Sequence, residues 1–259
     1  MRGQSKTHVV AIIQARMGST RLPGKTLVDI VGKPLLGHVI ERVQACQTIE
    51  DIVVATTTAV EDQPILDLAG QYGVMHYTGS EEDVLDRFYQ AAINTSAEVI
   101  VRITADDPFK DPQVIDHIVS YFLHHPELDY ASNTVEPTYP EGLDVEVFSF
   151  KALETAWQEA QRLSDREHVT PYIWRNPQTF CIANIKHHTD LSHLRWTLDY
   201  EEDLHFTRAV YEHLYGGKVF LMEDILILLQ KEPQLAGINK GIERNIGYQK
   251  SLVEDEHHH

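Results

Sequence analysis

Cysteine is scarce in this 259-residue chain, with only Cys46 and Cys181 present. Two cysteines build no disulfide framework and fit a reducing cytoplasm. Cations are also few, 22 Lys and Arg against 39 Asp and Glu, giving a formal net charge of −17. Nucleic acid and anionic membranes reward a basic surface, so neither is expected as a partner. Long hydrophobic runs are missing too. The longest near the carboxyl end, Ile225 to Leu229, is far too short to span a bilayer. No amino-terminal segment has the charged, apolar and small-residue order of a signal peptide. Internal repeats, low-complexity tracts and long flexible linkers are absent as well.

What is present suits a soluble enzyme, since 42% hydrophobic residues can bury a sizeable core. Short β-branched runs alternate with helical patterns, the signature of βαβ units and a mostly parallel sheet. Strands are expected at Val9 to Ile13, Ile52 to Ala55, Val74 to Tyr77 and Glu98 to Ile103. Apolar residues at helical spacing predict helices over 35–46, 62–72 and 81–93, the last opened by a Ser80/Asp83 capping box. The rhythm changes after residue 125. Leu143 to Phe148 alternates like a half-exposed strand, so residues 130–150 are expected to form a small arm or sheet extension. Helices near 150–162, 168–175, 201–214 and 222–231 and strands near 179–185 and 194–198 complete the pattern. One α/β domain over 1–252 is expected. The closing His257-His258-His259 reads as an expression tag, so 253–259 is set aside as a tail.

The richest stretch is 12–27, Ile-Ile-Gln-Ala-Arg-Met-Gly-Ser-Thr-Arg-Leu-Pro-Gly-Lys-Thr-Leu. Arg16, Arg21 and Lys25 follow directly on a strand, at the carboxyl end where open α/β sheets bind ligands. Glycine permits close backbone approach, and guanidinium and ammonium groups suit phosphate oxygens. The loop is not a P-loop. Five residues separate Gly18 from Gly24-Lys25 where that motif has four, and Pro23 removes a backbone donor.

A second constellation supports a nucleotide site. Arg102-Ile103-Thr104-Ala105-Asp106-Asp107-Pro108 and Arg195-Trp196-Thr197-Leu198-Asp199 each place a carboxylate at a strand end. Magnesium is commonly held by one or two carboxylates together with substrate phosphates. Each aspartate taken alone reads first as a turn or cap residue, and Asp203 reads as a cap or surface charge. The pairs His124-His125 and His187-His188 lack metal-ligand spacing and read as surface residues.

These motifs resemble the CMP-sugar-acid synthetases, the acylneuraminate and 3-deoxy-manno-octulosonate cytidylyltransferases. The likeness is strongest to the branch named for spore coat polysaccharide biosynthesis protein SpsF. It is carried by Ile13-Gln14-Ala15-Arg16 through Gly24-Lys25, Val54-Ala55-Thr56-Thr57, Gly79-Ser80 through Arg87, Asp106-Asp107-Pro108, Tyr139 through Phe148, Asp165 through Thr170, and Leu198-Asp199 through Leu204. The resemblance implies a Rossmann-like nucleotide-diphospho-sugar transferase fold. It also implies Mg²⁺-dependent transfer of CMP from CTP to a sugar acid or related acceptor, with release of pyrophosphate, for surface polysaccharide synthesis. Arg16 and Lys25 would be catalytic. Ala15, Gly18, Arg21, Ala55, Thr56, Gly79, Ser80, Arg87 and Asp106 would join them in nucleotide binding, and Asp106 and Asp199 would hold the metal. A homodimer exchanging the 130–150 arm is implied as well. After residue 130 the chain departs from the better-known synthetases, and Asp144, Glu146, Arg166 and His168 become the acceptor candidates. Alternating acids on a strand also read as its wet face, and Asp165 to His168 as an ordinary helix start. No residue identifies itself as a general base. Other readings are a nucleotidyltransferase using another triphosphate, a nucleotide-sugar-dependent glycosyltransferase, although the Asp-x-Asp motif frequent there is missing, and a noncatalytic nucleotide-binding protein.

Overall fold

The computed structural model describes residues 7–244 and 246–257. The first apolar run forms β1 (Val9–Gln14), buried from Val9 to Ile13 as a parallel strand covered on both faces must be. A small hairpin, β2 (Asp29–Ile30) and β3 (Lys33–Pro34), leads into α1 (Leu35–Gln44). Then β4 (Asp51–Thr57), α2 (Gln63–Gln71), β5 (Met75–Gly79), α3 (Val84–Thr95) and β6 (Val99–Thr104) alternate, as the periodicity predicts. Next come α4 (Pro112–His124), β7 (Tyr130–Ser132), β8 (Glu146–Ser149) and α5 (Phe150–Glu159). The chain closes with α6 (Leu163–His168), α7 (Pro171–Trp174), β9 (Ile182–Asn184), α8 (Glu201–Leu214), α9 (Met222–Lys231) and α10 (Ile246–His257).

Seven strands form one sheet in the order β5-β4-β1-β6-β8-β7-β9, with β8 antiparallel to both its neighbours. Alternation along β1 divides the core. Val9, Ala11 and Ile13 pack with α1, α4, α8 and α9, while Val10 and Ile12 pack with α3 and α5. The chain winds from β1 to β4 and β5 on one side and returns to β6 on the other. The crevice at the carboxyl ends of β1 and β6 is therefore a topological switch point, where such sheets bind ligands.

Several sequence expectations need correction. Of the two forms expected for residues 130–150, arm or sheet extension, the sheet extension is found, since β7 and β8 join the sheet; the half-exposed face expected over Leu143 to Phe148 is not, because Leu143, Val145, Val147 and Phe148 are all buried. The apparent wet face is covered because Glu146 is neutralised by Arg102 across the strand pair. Residues 194–198 form no strand but make an isolated bridge to Glu141 on one side and a bond to Asp106 on the other. Trp196 N donates to Glu141 O at 2.7 Å and Leu198 N to Asp106 O at 2.8 Å. The helix expected over 168–175 is broken, because Pro171 has no N–H to continue it and the chain turns sharply at Val169. The cap of α3 is Asp83, which accepts from Asp86 N at 2.9 Å, whereas Ser80 closes the preceding turn by accepting from Asp83 N at 3.0 Å. Helix α4 was not anticipated, although Asp111 caps it before Pro112 and accepts from Gln113 N at 2.8 Å. The stretch set aside as a tail continues α10 to His257, and Asp255 in it accepts from Ser164 N at 3.0 Å; residues 258 and 259 lie outside the described residues.

Gly142 locks the 139–148 segment against residues 196–197. Its φ is +102°, and a Cβ there would stand 2.7 Å from Thr197 N and from the Trp196 carbonyl carbon. Gly142→Ala is expected to lower the unfolding free energy by about 3 kcal/mol, read as an earlier urea midpoint. Gly70→Ala, with nothing within 4 Å of its Cβ, should change it by less than about 1 kcal/mol. Equal midpoints for the two variants would disprove this account of Gly142.

Candidate active site

The loop after β1 is tied down at both ends. Ala15 N donates to Ala55 O at 3.1 Å, and Met17 N donates to Asp62 Oδ1 at 2.7 Å. Asp62 is buried and also accepts from Thr56 Oγ1 at 2.8 Å, Thr57 Oγ1 at 2.6 Å and Thr57 N at 3.1 Å. Burial alone would raise its pKa, but these hydrogen bonds hold it below the ordinary carboxylate value. Farther along, Thr26 Oγ1 donates to Arg16 O at 2.7 Å, and Gly24 adopts φ +71° to start the tight turn Lys25–Leu27. The folded loop directs Lys25 inward.

Lys25 Nζ is the centre of the site. It donates to Asp106 Oδ2 at 2.8 Å, Asp199 Oδ1 at 2.6 Å and Leu198 O at 3.2 Å. Burial works against its charge, yet the two carboxylates more than offset this and raise its pKa. Burial likewise works against ionised Asp106, but the Lys25 ammonium draws its pKa down to about 2. The neighbouring Asp107 goes the other way, to about 6. Burial and the Asp106 and Asp144 charges outweigh the help it receives from Lys110. Arg21 adds a bond to Asp199 Oδ1 at 2.7 Å.

Asp199 is itself held by a buried scaffold. Asp203 accepts from Asp199 N at 3.0 Å and Tyr200 N at 3.1 Å, and takes both Nε and Nη2 of Arg195 at 2.9 Å. Arg195 also donates to Glu141 Oε2 at 2.8 Å. Asp203 is thus a cap, as its sequence suggests, but it is fully buried and no surface charge.

These groups open onto one cleft of about 1200 Å³. Of the residues named from the sequence, it brings together Ala15, Arg16, Arg21, Lys25, Arg87, Asp106 and Asp199, and on another wall Asp144, Glu146 and His168. Arg16 stands at the mouth, 3.5 Å from Glu81. Arg87 is buried, with Nη1 on Ser80 O at 2.8 Å and Nε without a partner, and burial lowers its pKa to about 10.

Other named residues do not line the cleft. Ala55 and Thr56 are buried in β4. Gly18, Gly79 and Ser80 shape the loops behind Glu81 and Arg87. Arg166 turns away to Asp83, at 3.0 Å from Nε, and to Trp157 O at 2.7 Å. Conversely, Arg102, Asp107 and Arg195 do line it. All three stand inside the quoted motifs, but only the strand pairing shows where their side chains go. The partners of Glu146 show the same limit. Tyr130 OH at 2.7 Å, Thr170 Oγ1 at 2.5 Å and Arg102 come from three separate elements. Burial would raise the Glu146 pKa, and these partners lower it.

Asp106 and Asp199 fit a divalent cation. They are hard oxygen donors converging from two elements, and no cluster of three or more His, Cys, Asp or Glu ligands occurs among the described residues. A metal held there would complete its shell with water and phosphate oxygens, which is the habit of magnesium.

Comparison with known proteins agrees with this geometry. Residues 10–224 match the sequence profile of the family described as cytidylyltransferase. Spore coat polysaccharide biosynthesis protein SpsF of Bacillus subtilis is 32% identical over 237 residues, covering 88% of this chain and 96% of that protein. The 3-deoxy-manno-octulosonate cytidylyltransferase of Trichlorobacter lovleyi is 38% identical over only 123 residues, 46% of this chain and 47% of that enzyme. A solved cytidylyltransferase structure from Leptospira borgpetersenii superposes with a TM-score of 0.85 at 28% identity, covering 93% of this chain and 100% of that one.

His168 offers a test of the cleft's electrostatics. Its Nε2 lies 2.9 Å from Ser251 Oγ, which gives its own proton to Glu167 at 2.6 Å. Burial lowers the His168 pKa from 6.5 to about 4 despite the nearby Glu167 charge. The imidazole should therefore stay neutral through pH 5 in an NMR titration. Between pH 6.5 and 4 the unfolded chain takes up a proton that the folded one refuses, so stability falls as pH drops through this window. His168→Gln should flatten that part of the stability profile. An imidazole titrating near 6.5 would contradict the burial of this ring.

Proposed function

This chain belongs to the cytidylyltransferase family of nucleotidyltransferases, and from that premise we propose that it transfers CMP from CTP to a sugar acid or related acceptor, with Mg²⁺ and release of pyrophosphate. The observation that carries this reading is the Lys25 ammonium between Asp106 and Asp199 at the strand ends, with Arg16 and Arg21 nearer the mouth. The acceptor oxygen attacks the α-phosphorus in line, the bond to the β-phosphate bridging oxygen breaks, and pyrophosphate carries away the charge. Lys25 and Arg16 stabilise charge on the phosphoryl oxygens, and Arg21 grips the departing pyrophosphate.

Both Lys25 and Arg21 are already paired with carboxylates, so an arriving triphosphate exchanges one anionic partner for another. That exchange limits the desolvation cost of bringing in a polyanion. Asp106 and Asp199 would hold the metal, which would supply positive charge to neutralise the phosphates. The Asp203–Arg195 pair keeps Asp199 in position by fixing its backbone N–H. Residues around Asp144, Glu146 and His168 receive the acceptor.

The name of the SpsF relative supports a role in polysaccharide synthesis. The free thiols of Cys46 and Cys181 suit the cytoplasm. No helix among the described residues is long and apolar enough to cross a membrane.

Pyrophosphate release with Mg²⁺ and each of CTP, UTP, ATP, GTP and dTTP, against sugar acids, sugar phosphates and phosphonates, tests this reading. Release with CTP is expected. Release with another nucleotide alone would overturn the CTP assignment, and silence throughout would favour a noncatalytic role. Lys25→Ala should lower kcat by about 10²–10³-fold while circular dichroism still reports a folded protein. An unchanged kcat would remove Lys25 from the chemistry.

A further inference from the structure

One wall of the cleft lies beyond the stretch that the family profile matches. The matched profile ends at residue 224, yet Ile246, Gly247 and Tyr248 of α10 line the cleft. Polar contacts dock α10 on α6. Ser164 gives its N–H and hydroxyl to Asp255 at 3.0 and 2.5 Å, and Ser251 bridges His168 and Glu167. The Tyr248 ring stands edge-on to His168 at 5.2 Å and tilted against Trp174 at 5.9 Å. All three rings line the cleft and remain partly exposed.

The backbone beneath them is strained. Val169 has φ 72° and ψ −54°, and Thr170 N donates to His168 O at 2.8 Å, a γ-turn that a β-branched residue strongly resists. Such a conformation persists only where the surroundings over-determine it, and it clusters at ligand sites. Here it places His168 and Thr170, both cleft residues, on either side of the break between α6 and α7. The foot of this wall is polar. Thr170 Oγ1 donates to Glu146, Glu146 pairs with Arg102, and Arg102 Nε donates to Gln14 Oε1 at 3.1 Å, beside the start of the phosphate loop.

We propose that Trp174, Tyr248 and His168, footed by Glu146 and Thr170, form the subsite for a pyranose ring of the acceptor, and that α10 thereby sets acceptor choice. This rests on the cytidylyl-transfer reading above. The C–H edge of a sugar ring carries partial positive charge and suits the negative face of an aromatic ring, while Glu146 and Thr170, buried and bonded to each other, fix the floor beneath it. The cations on this side are engaged, Arg102 with Glu146 and Arg244 with Asp144 at 2.5 Å. The ring is therefore selected by its shape and apolar face more than by charge. An acyclic polyol phosphate has no face to offer.

Two measurements test this on the full chain with CTP and Mg²⁺. The first is pyrophosphate release with 3-deoxy-manno-octulosonate and N-acetylneuraminate as ring acceptors and glycerol 1-phosphate as the acyclic one. The second is saturation-transfer NMR of the same compounds. A ring acceptor should be used, with its KM raised about tenfold by Tyr248→Ala and by Trp174→Leu, restored by Tyr248→Phe, and with the KM for CTP unchanged. Preference for glycerol 1-phosphate, or an acceptor KM that neither variant moves, would overturn the subsite. Should CTP yield no pyrophosphate with any compound, the cytidylyl-transfer reading fails, and NMR still decides the subsite. Transfer to ring protons that disappears in Tyr248→Ala supports it, and no transfer to any ring sugar in the unmutated protein refutes it.

Discussion

The contact of one ammonium with two carboxylates holds the active cleft together. Lys25 comes from the loop after β1, Asp106 from the turn after β6 and Asp199 from the segment before α8. These segments are far apart in sequence and meet only because the sheet places the ends of β1 and β6 side by side. Removing one partner of such a buried group leaves an uncompensated charge, which typically costs several kcal/mol. In the proposed transfer the same grouping would serve the chemistry, since a cation and two hard oxygen donors are what a metal-bound triphosphate needs opposite it.

Around this centre, buried polar residues act as supports. Asp62 ties the phosphate loop to β4, and Asp203 with Arg195 ties Asp199 to the 141 loop. The reversed strand β8 does the corresponding work on the opposite wall of the cleft. Because it runs antiparallel to β6, its first residue, Glu146, lies beside Arg102 near the functional end of the sheet. A parallel strand in that place would have brought its last residue there instead. The cleft wall around Glu146 thus depends on the reversal of β8 in the sheet, and α10 adds to that wall from residues after 224, where the profile match ends.

Much of this was legible in the sequence. The runs forming β1, β4, β5 and β6 and the helices α1, α2, α8 and α9 announce themselves by periodicity, because their burial patterns are simple. Arg21, Lys25, Asp106 and Asp199 stand out in combination, cations after one strand and a carboxylate at the end of each of two others, although each aspartate alone could be an ordinary turn or cap residue. Leu143 to Phe148 misled, since alternation predicts an exposed face while the paired charges of Glu146 and Arg102 allow burial on both. Arg166 and Thr56 looked equally available for ligands, but local partners, Asp83 and Asp62, claim their polar atoms.

By itself, the sequence determined the fold class, the parallel βαβ core and the chemical character of the loop that follows β1. Those properties depend on neighbours within a dozen or so residues, which periodicity and composition record. The tertiary structure decided which charges meet: Lys25 with Asp106 and Asp199, Arg195 with Asp203 and Glu141, Arg102 with Glu146. It also decided that α10 returns to the cleft. Coulomb and hydrogen-bond energies fall off steeply with distance and depend on local burial, and neither quantity exists until strand order and the reversal of β8 have set which distant residues are adjacent.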